Sequence, residues 1–207
     1  MVARQLERRG ISDQRVLDAM GEVPREIFVP AESRDLAYAD GALPIGFDQT
    51  ISQPLMVAEI CQDLQLEGTE KVLEIGTGSG YSAAVLSHLC AEVVSVERIP
   101  QLTEMAERSL AEAGIFGVHC ICADGSIGWP ELAPYDAIAV HAGSPEIPDE
   151  LTSQLKPSGR LVIPVSRDGG EILTRVTVDE VGREEREELG PCRFVPLIGE
   201  AGFSDPT

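Results

Sequence analysis

Lys71-Val72-Leu73-Glu74-Ile75-Gly76-Thr77-Gly78-Ser79-Gly80-Tyr81 is the stretch that decides the fold of this 207-residue chain. Val72 to Ile75 is a short, mostly apolar run suited to a strand, and three glycines at alternate positions stop it. Glycine has no Cβ, so the backbone can turn sharply there and a ligand can approach it closely. From Tyr81 to Cys90 the apolar residues Ala84, Val85, Leu86 and Leu89 fall on or near one helical face. Strand, glycine turn and helix in direct succession form the opening unit of a nucleotide-type parallel sheet. The spacing is G-x-G-x-G, which differs from the G-x-G-x-x-G of dinucleotide sites.

Downstream, the same alternation repeats. Strands are expected at Glu92 to Val96, Val118 to Cys122, Tyr135 to Val140, Arg160 to Val165 and Gly170 to Val178. Helices are expected from Pro100 through Leu102 to Ala113, closed by Gly114, and over Ile147 to Leu155, stopped by Pro157 and Gly159. Such alternation means crossover units on a parallel sheet covered on both faces. Ile172 to Val178 and Cys192 to Ile198 read as antiparallel edge strands, with the acidic stretch Asp179 to Glu188 as a solvated turn or face between them. Upstream, Ser12 is placed to cap a helix reaching Met20, Pro24 and Pro30 break the chain, and Pro54 opens a helix to about Leu66. The tail after Gly199 is expected to lack order. The fold class is α/β: one doubly wound, Rossmann-like sheet with an N-terminal helical extension and C-terminal antiparallel edge strands.

Composition narrows the function classes. The net charge is −19, with 35 acidic residues and Lys71 and Lys156 the only lysines. Such a surface repels phosphate backbones and anionic lipid, so neither nucleic acid nor membrane is expected as a partner. No apolar run approaches the ~20 residues that span a bilayer. Met1 to Gly10 is Arg-rich and lacks the apolar stretch of a secretory signal, so a cytoplasmic protein is expected, and for a small single domain a monomer is the default. Five cysteines without a C-x-x-C pair argue against a disulfide framework or a zinc site. Cys90, Cys120 and Cys122 read as small core residues, and the three scattered histidines suggest no metal.

The strand ends outline a site. Glu97 closes the second strand, where its carboxylate can accept from both hydroxyls of a ribose and would repel a 2′-phosphate. Asp124-Gly125 ends the third strand and can meet an adenine edge. Each feature alone is often only a tight loop or a solvated cap; in this order they point to an adenosine-containing ligand. Pattern alone leaves NAD and S-adenosylmethionine open, with the latter favoured.

The residues before the core carry a resemblance. Gly46-Phe47-Asp48-Gln49-Thr50-Ile51-Ser52-Gln53-Pro54 closely resembles the signature of the protein-L-isoaspartate O-methyltransferases. Val23 to Glu26 with Phe28 to Pro30, Ala42 to Gly46, Val72 to Tyr81 and Arg193 to Leu197 agree with it. The resemblance implies a class I methyltransferase using S-adenosyl-L-methionine, with S-adenosyl-L-homocysteine as product. It implies that Gly76, Gly78 and Gly80, with Glu74, Thr77 and Ser79 beside them, hold the methionine and ribose part. Glu97 with Arg98 would hold the ribose hydroxyls, and Asp124 and Gly125 the adenine. Ser52 would stand beside the methyl group as the catalytic residue, orienting a substrate carboxylate. Thr50, Ile51 and Gln53, with Arg193 and Val195, would hold the substrate peptide in extended form. The implied domain division is 1–70 as an N-terminal extension with the substrate loop, 71–165 as the cofactor-binding core, and 166–207 as C-terminal strands.

The implied substrate is a damaged protein or peptide containing isoaspartate, esterified at its free α-carboxylate to an ester that closes to a succinimide. Such a carboxylate has a pKa near ~3.5 and is ionised at neutral pH, so no base is needed. The chain departs from the family pattern at His141-Ala142-Gly143-Ser144-Pro145, and Asp48 adds an acid beside the signature. His141 reads as a hydrogen-bonded strand-end residue rather than a base. For Ser52, capping the helix at Pro54 is the structural alternative. The rival functions are a cofactor-binding adaptor without transfer activity and an NAD-dependent oxidoreductase.

Overall fold

The computed structural model describes residues 1–205. Short turns at Val2–Leu6 and Glu7–Arg9 lead into α1 (Gln14–Glu22), which buries Val16, Leu17, Ala19 and Met20. Its cap is Asp13, not the expected Ser12: the Asp13 carboxylate accepts from the N–H groups of Arg15 and Val16. Ser12 is held instead through its own N–H by Gln62. Single 3₁₀ segments follow Pro24 and Pro30, at Arg25–Phe28 and Ala31–Leu36. A hairpin absent from the sequence reading comes next, β1 (Leu43–Gly46) paired with β2 (Gln49–Ile51). Its turn residues Phe47 and Asp48 are both left-handed, φ 53 and 57, a geometry that usually recruits glycine or asparagine. α2 (Pro54–Asp63) starts at the expected proline and ends earlier than Leu66.

The main sheet begins with β3 (Lys71–Ile75), followed by α3 (Tyr81–Ser87), β4 (Glu92–Glu97), α4 (Pro100–Glu112), β5 (Val118–Cys122) and β6 (Tyr135–Val140). A single turn of helix, α5 (Asp149–Thr152), precedes β7 (Leu155–Arg167), β8 (Gly170–Val178) and β9 (Glu184–Cys192). The seven strands lie in the order β5-β4-β3-β6-β7-β8-β9, parallel from β5 to β7 and antiparallel at β8 and β9. The chain winds one way from β3 to β5 and then restarts on the other side at β6. The strand order therefore reverses between β3 and β6, where a crevice opens at the carboxyl ends. Apolar side chains from α1, α2 and α3 pack with one face of the sheet, and those of α5 and its flanking loops with the other.

Several expectations are corrected. The helix over Ile147 to Leu155 shrinks to α5, because Leu155 already pairs with Tyr135 and begins a strand. The acidic stretch is not a turn throughout: only Asp179 to Arg183 turns, where the Asp179 side chain accepts from the N–H groups of Val181 and Arg183. Glu184 onward is the edge strand β9 itself, with Glu187 paired to Arg175 and Glu188 to Arg167. Charges along an exposed edge oppose strand-to-strand aggregation. Of the expected strand Cys192 to Ile198, only Cys192 belongs to the sheet, as the end of β9, and Arg193 to Ile198 leaves it and crosses the strand ends. Cys122 is exposed rather than in the core. The tail folds back: Glu200 N–H donates to Asp124, Ala201 N–H to Ser126, and Arg98 pairs with Asp205. Residues 206–207 of that tail lie outside the described residues.

Candidate active site

A cleft enclosing about 760 Å³ of space, part of it open to solvent, fills the crevice. The glycine turn from Gly76 to Ser79 forms its floor, and Glu97, Arg98 and Gly125 one wall. Opposite stand Thr50, Ile51 and Ser52 on and just after β2. The segment Val195 to Ile198, with His141 and Ala142, closes the last side.

Gly76 (φ 90) and Gly78 (φ 53) adopt backbone conformations that side chains resist, so the floor is bare main chain. Gly80 (φ 89) differs from its expected role. A Cβ there would lie 3.2 Å from the Ala106 side chain, so Gly80 lets α4 approach and does not line the cleft.

Glu97 is 6% exposed. One of its oxygens accepts from Gly78 N–H at 2.9 Å and the other from Ile99 N–H at 3.0 Å. A carboxylate offers about four acceptor positions, so each oxygen keeps capacity for a ligand hydroxyl. Asp124 is used otherwise than expected. One oxygen accepts from both the N–H and the hydroxyl of Ser126 and the other from Glu200 N–H, so Asp124 anchors the C-terminal tail and does not line the cleft. Burial would raise its pKa, but these hydrogen bonds outweigh it and hold the carboxyl below its ordinary value. Gly125 remains at the wall, where a Cβ would meet Ile75 at 2.7 Å.

Glu74 lies beneath the floor, fully buried, and does not line the cleft. On β3 it is in register with Ser95 of β4, whose hydroxyl donates to it at 2.5 Å, and Thr77 bonds the same serine. Its second oxygen is 3.5 Å from His141 Nε2, which bonds Ser82 Oγ at 2.6 Å. Burial raises the Glu74 carboxyl to about 7 and lowers the His141 imidazole to about 4, so the histidine is neutral at neutral pH. His141 thus occupies a hydrogen-bonded strand end.

Ser52 meets the cleft without acting as a helix cap: the N-cap of α2 is Gln53, and no side-chain cap bond forms. Among the described residues the Ser52 hydroxyl has no protein partner, while its carbonyl accepts from Arg25 at 2.7 Å. Gln53 turns away to Asp40, which also pairs with Arg9. Arg193 is exposed and outside the cleft, because its neighbour Phe194 N–H is held by Glu171 and the chain inserts only from Val195. Gly143 N–H donates to Val195 O, and Leu197 N–H to Gly143 O, so this wall is an extended segment paired with the strand-end loop. The exposed Asp48 sits at the hairpin tip, away from the cleft. Sequence reasoning missed Tyr81, Ser82 and Ser95 here; an acid inside an apolar strand opposite a serine was the available signal for the last.

The donors and acceptors fit an adenosyl ligand: a bare glycine floor, a buried carboxylate with free acceptor positions, and a glycine wall without side chains. The sequence pattern of the family described as protein-L-isoaspartate(D-aspartate) O-methyltransferase matches residues 1–202. The chain belongs to that family. A protein-L-isoaspartate O-methyltransferase 2 from Marinobacter nauticus is 53% identical over 204 residues, 98% of this chain and 93% of that protein. A protein-L-isoaspartate O-methyltransferase 1 from Rhodopseudomonas palustris is 52% identical over 99% of this chain and 84% of its own length. A solved protein-L-isoaspartate O-methyltransferase superposes with TM-score 0.85 at 31% identity, over 97% of this chain and 67% of that one. A Plasmodium falciparum structure described in the same family terms, in complex with S-adenosyl-L-homocysteine, superposes with TM-score 0.81 at 25% identity, over 95% and 96%. The resemblance carried by Thr50 to Pro54 thus extends through the protein-L-isoaspartate O-methyltransferase fold, from the N-terminal extension to the folded-back tail.

Proposed function

We propose that the cleft is where this enzyme transfers a methyl group from S-adenosyl-L-methionine to the free α-carboxylate of an L-isoaspartyl residue in a damaged protein or peptide. S-adenosyl-L-methionine supplies the methyl group on a positively charged sulfur. The observation that carries the role assignment is the placement of the partnerless Ser52 hydroxyl across the cleft from the glycine floor and Glu97.

Gly76 and Gly78 admit the methionyl part to the main chain, and Glu97 accepts from the ribose hydroxyls with the capacity its two oxygens retain. Gly125 leaves room for the adenine plane, a role in which Asp124 takes no direct part. Thr77, Ser79 and Arg98 flank the same ligand. The Ser52 hydroxyl donates to the incoming carboxylate and aims it. That carboxylate is already ionised at neutral pH, so no residue needs to remove a proton. Closing the site around opposite charges aligns them and replaces their water by fixed dipoles. Thr50, Ile51 and the extended Val195 to Leu197 segment hold the peptide backbone. The proposed acting unit is the monomer. A cytoplasmic enzyme is proposed; the −19 charge speaks against nucleic acid or anionic membrane as a partner, and no helix among the described residues is long and apolar enough to cross a bilayer.

Calorimetry and turnover on the same preparation test this reading. The wild type is expected to bind S-adenosyl-L-homocysteine and to methylate isoaspartyl peptide. Binding without transfer would make it the adaptor, and preference for NAD would make it an oxidoreductase.

A further inference from the structure

Arg25 is the largest fully buried side chain, 0% exposed, in a 3₁₀ turn remote in sequence from the cleft. Its guanidinium has no carboxylate partner among the described residues. Nε donates to Ala37 O at 2.7 Å and Nη2 to Ser52 O at 2.7 Å, while Nη1 has no partner. The guanidinium carbon stands 4.5 Å from the ring centre of Tyr81. That tyrosine is the first residue of α3, directly after the glycine turn, and Phe28 packs edge-on against it.

Two consequences follow from elementary electrostatics. A desolvated cation without a counter-ion is costly, and packing alone would be served better by an apolar chain of the same volume. The planar fork does what an apolar chain does not. It fixes the backbone of Ser52, on one side of the cleft, against Tyr81, on the other. It also leaves an uncompensated positive charge directly behind the position proposed for the substrate carboxylate, in a protein of net charge −19. An aromatic face attracts a cation without neutralising it, so the field persists.

We propose that Arg25 is a positioning residue for methyl transfer, holding Ser52 against Tyr81 and supplying the positive potential that draws the substrate carboxylate into the cleft. The proposal rests on the reading that Ser52 faces the substrate.

The test compares Arg25→Met and Arg25→Lys with the wild type, measuring KM and kcat for an isoaspartyl peptide and the Kd of S-adenosyl-L-homocysteine. Arg25→Met is expected to raise the peptide KM at least ten-fold while the Kd stays within two-fold, because Gly76, Gly78 and Glu97 are untouched. Arg25→Lys keeps the charge but not the fork, and is expected to raise KM two- to five-fold. A folded Arg25→Met with peptide kinetics within two-fold of wild type overturns the proposal. So does a KM and a Kd that worsen by the same factor, which would mark a purely structural role. If Arg25→Met does not fold, Arg25→Lys decides: a selective KM increase supports the proposal, and no change or an equal change overturns it. Ser52→Ala in the same assay separates the two readings. Normal kinetics there with a peptide-selective Arg25 defect removes the hydroxyl's role alone, whereas the reverse removes the role of Arg25.

Discussion

Replacing Glu97 by alanine tests the cofactor side of the site. The carboxylate is 6% exposed and held by Gly78 N–H and Ile99 N–H, one on each oxygen. That leaves about two acceptor positions, one per oxygen, for a vicinal diol. A hydrogen bond to a charged group is worth about 1.5–3 kcal/mol, so two give about 3–6 kcal/mol. Water entering the vacated space offsets part of this, and the lower end corresponds to a roughly hundred-fold rise in Kd. Titration calorimetry with S-adenosyl-L-homocysteine is expected to show that rise for Glu97→Ala. Glu97→Gln should lose at least about ten-fold, since its amide NH₂ must face one of the two N–H donors. The 2′-deoxy form of the ligand supplies the control: it should bind wild type more weakly than the ribo form, and Glu97→Ala should no longer tell the two apart. A Glu97→Ala variant with a Kd within three-fold of wild type would refute the ribose assignment.

Three further outcomes are expected. Ser52→Ala should lower turnover roughly 10- to 150-fold, the equivalent of about 1.5–3 kcal/mol, and leave S-adenosyl-L-homocysteine affinity nearly intact; unchanged turnover sinks its role. Gly80→Ala should cost about 1–3 kcal/mol of stability in urea unfolding, because φ 89 and the 3.2 Å approach to Ala106 both oppose a Cβ; an unchanged midpoint would contradict this account of the turn. The Glu74 and His141 pair makes opposed contributions to stability against pH. Glu74, raised to about 7, stabilises the fold below about 4.5 and loses about 3 kcal/mol as pH climbs to 7. His141, lowered to about 4, stabilises it above about 6.5 and loses that as pH falls. Between pH 4.5 and 6.5 the two slopes offset each other. Relative to wild type, His141→Asn should therefore become less stable with rising pH and Glu74→Gln more stable, and urea unfolding at pH 5 and 6.5 that shows wild-type slopes for both would reject the buried pair.

The parallel core was legible because period and punctuation agreed. Val72 to Ile75, the glycines and the Tyr81 helix each specify the same unit, and Pro100 and Gly114 bracket α4 by local chemistry alone. The parts that were not legible depend on partners distant in the chain. The Phe47-Asp48 turn has no residue that announces positive φ, so the β1–β2 hairpin left no local trace. β9 is a run of acids whose strand character comes from pairing with β8. At the site, Glu97 and Gly125 could be placed from strand ends. Asp124 looked the same in sequence, but one of its oxygens is bound by Ser126 and the other by a tail 76 residues away. Gly80 was grouped with its neighbours by spacing, although what demands a glycine there is Ala106 on α4. Arg25 lies within the Val23 to Glu26 stretch that carries part of the resemblance, yet nothing local marks a cation bound to the Ser52 carbonyl 27 residues later.

The most direct test of the central claim is methyl transfer from labelled S-adenosyl-L-methionine to a matched peptide pair, one isoaspartyl and one aspartyl. Base-labile label on the isoaspartyl peptide alone is the predicted result, since only that peptide presents a free α-carboxylate at the damaged residue. No label on either peptide, with S-adenosyl-L-homocysteine still bound, or equal label on both, would contradict it.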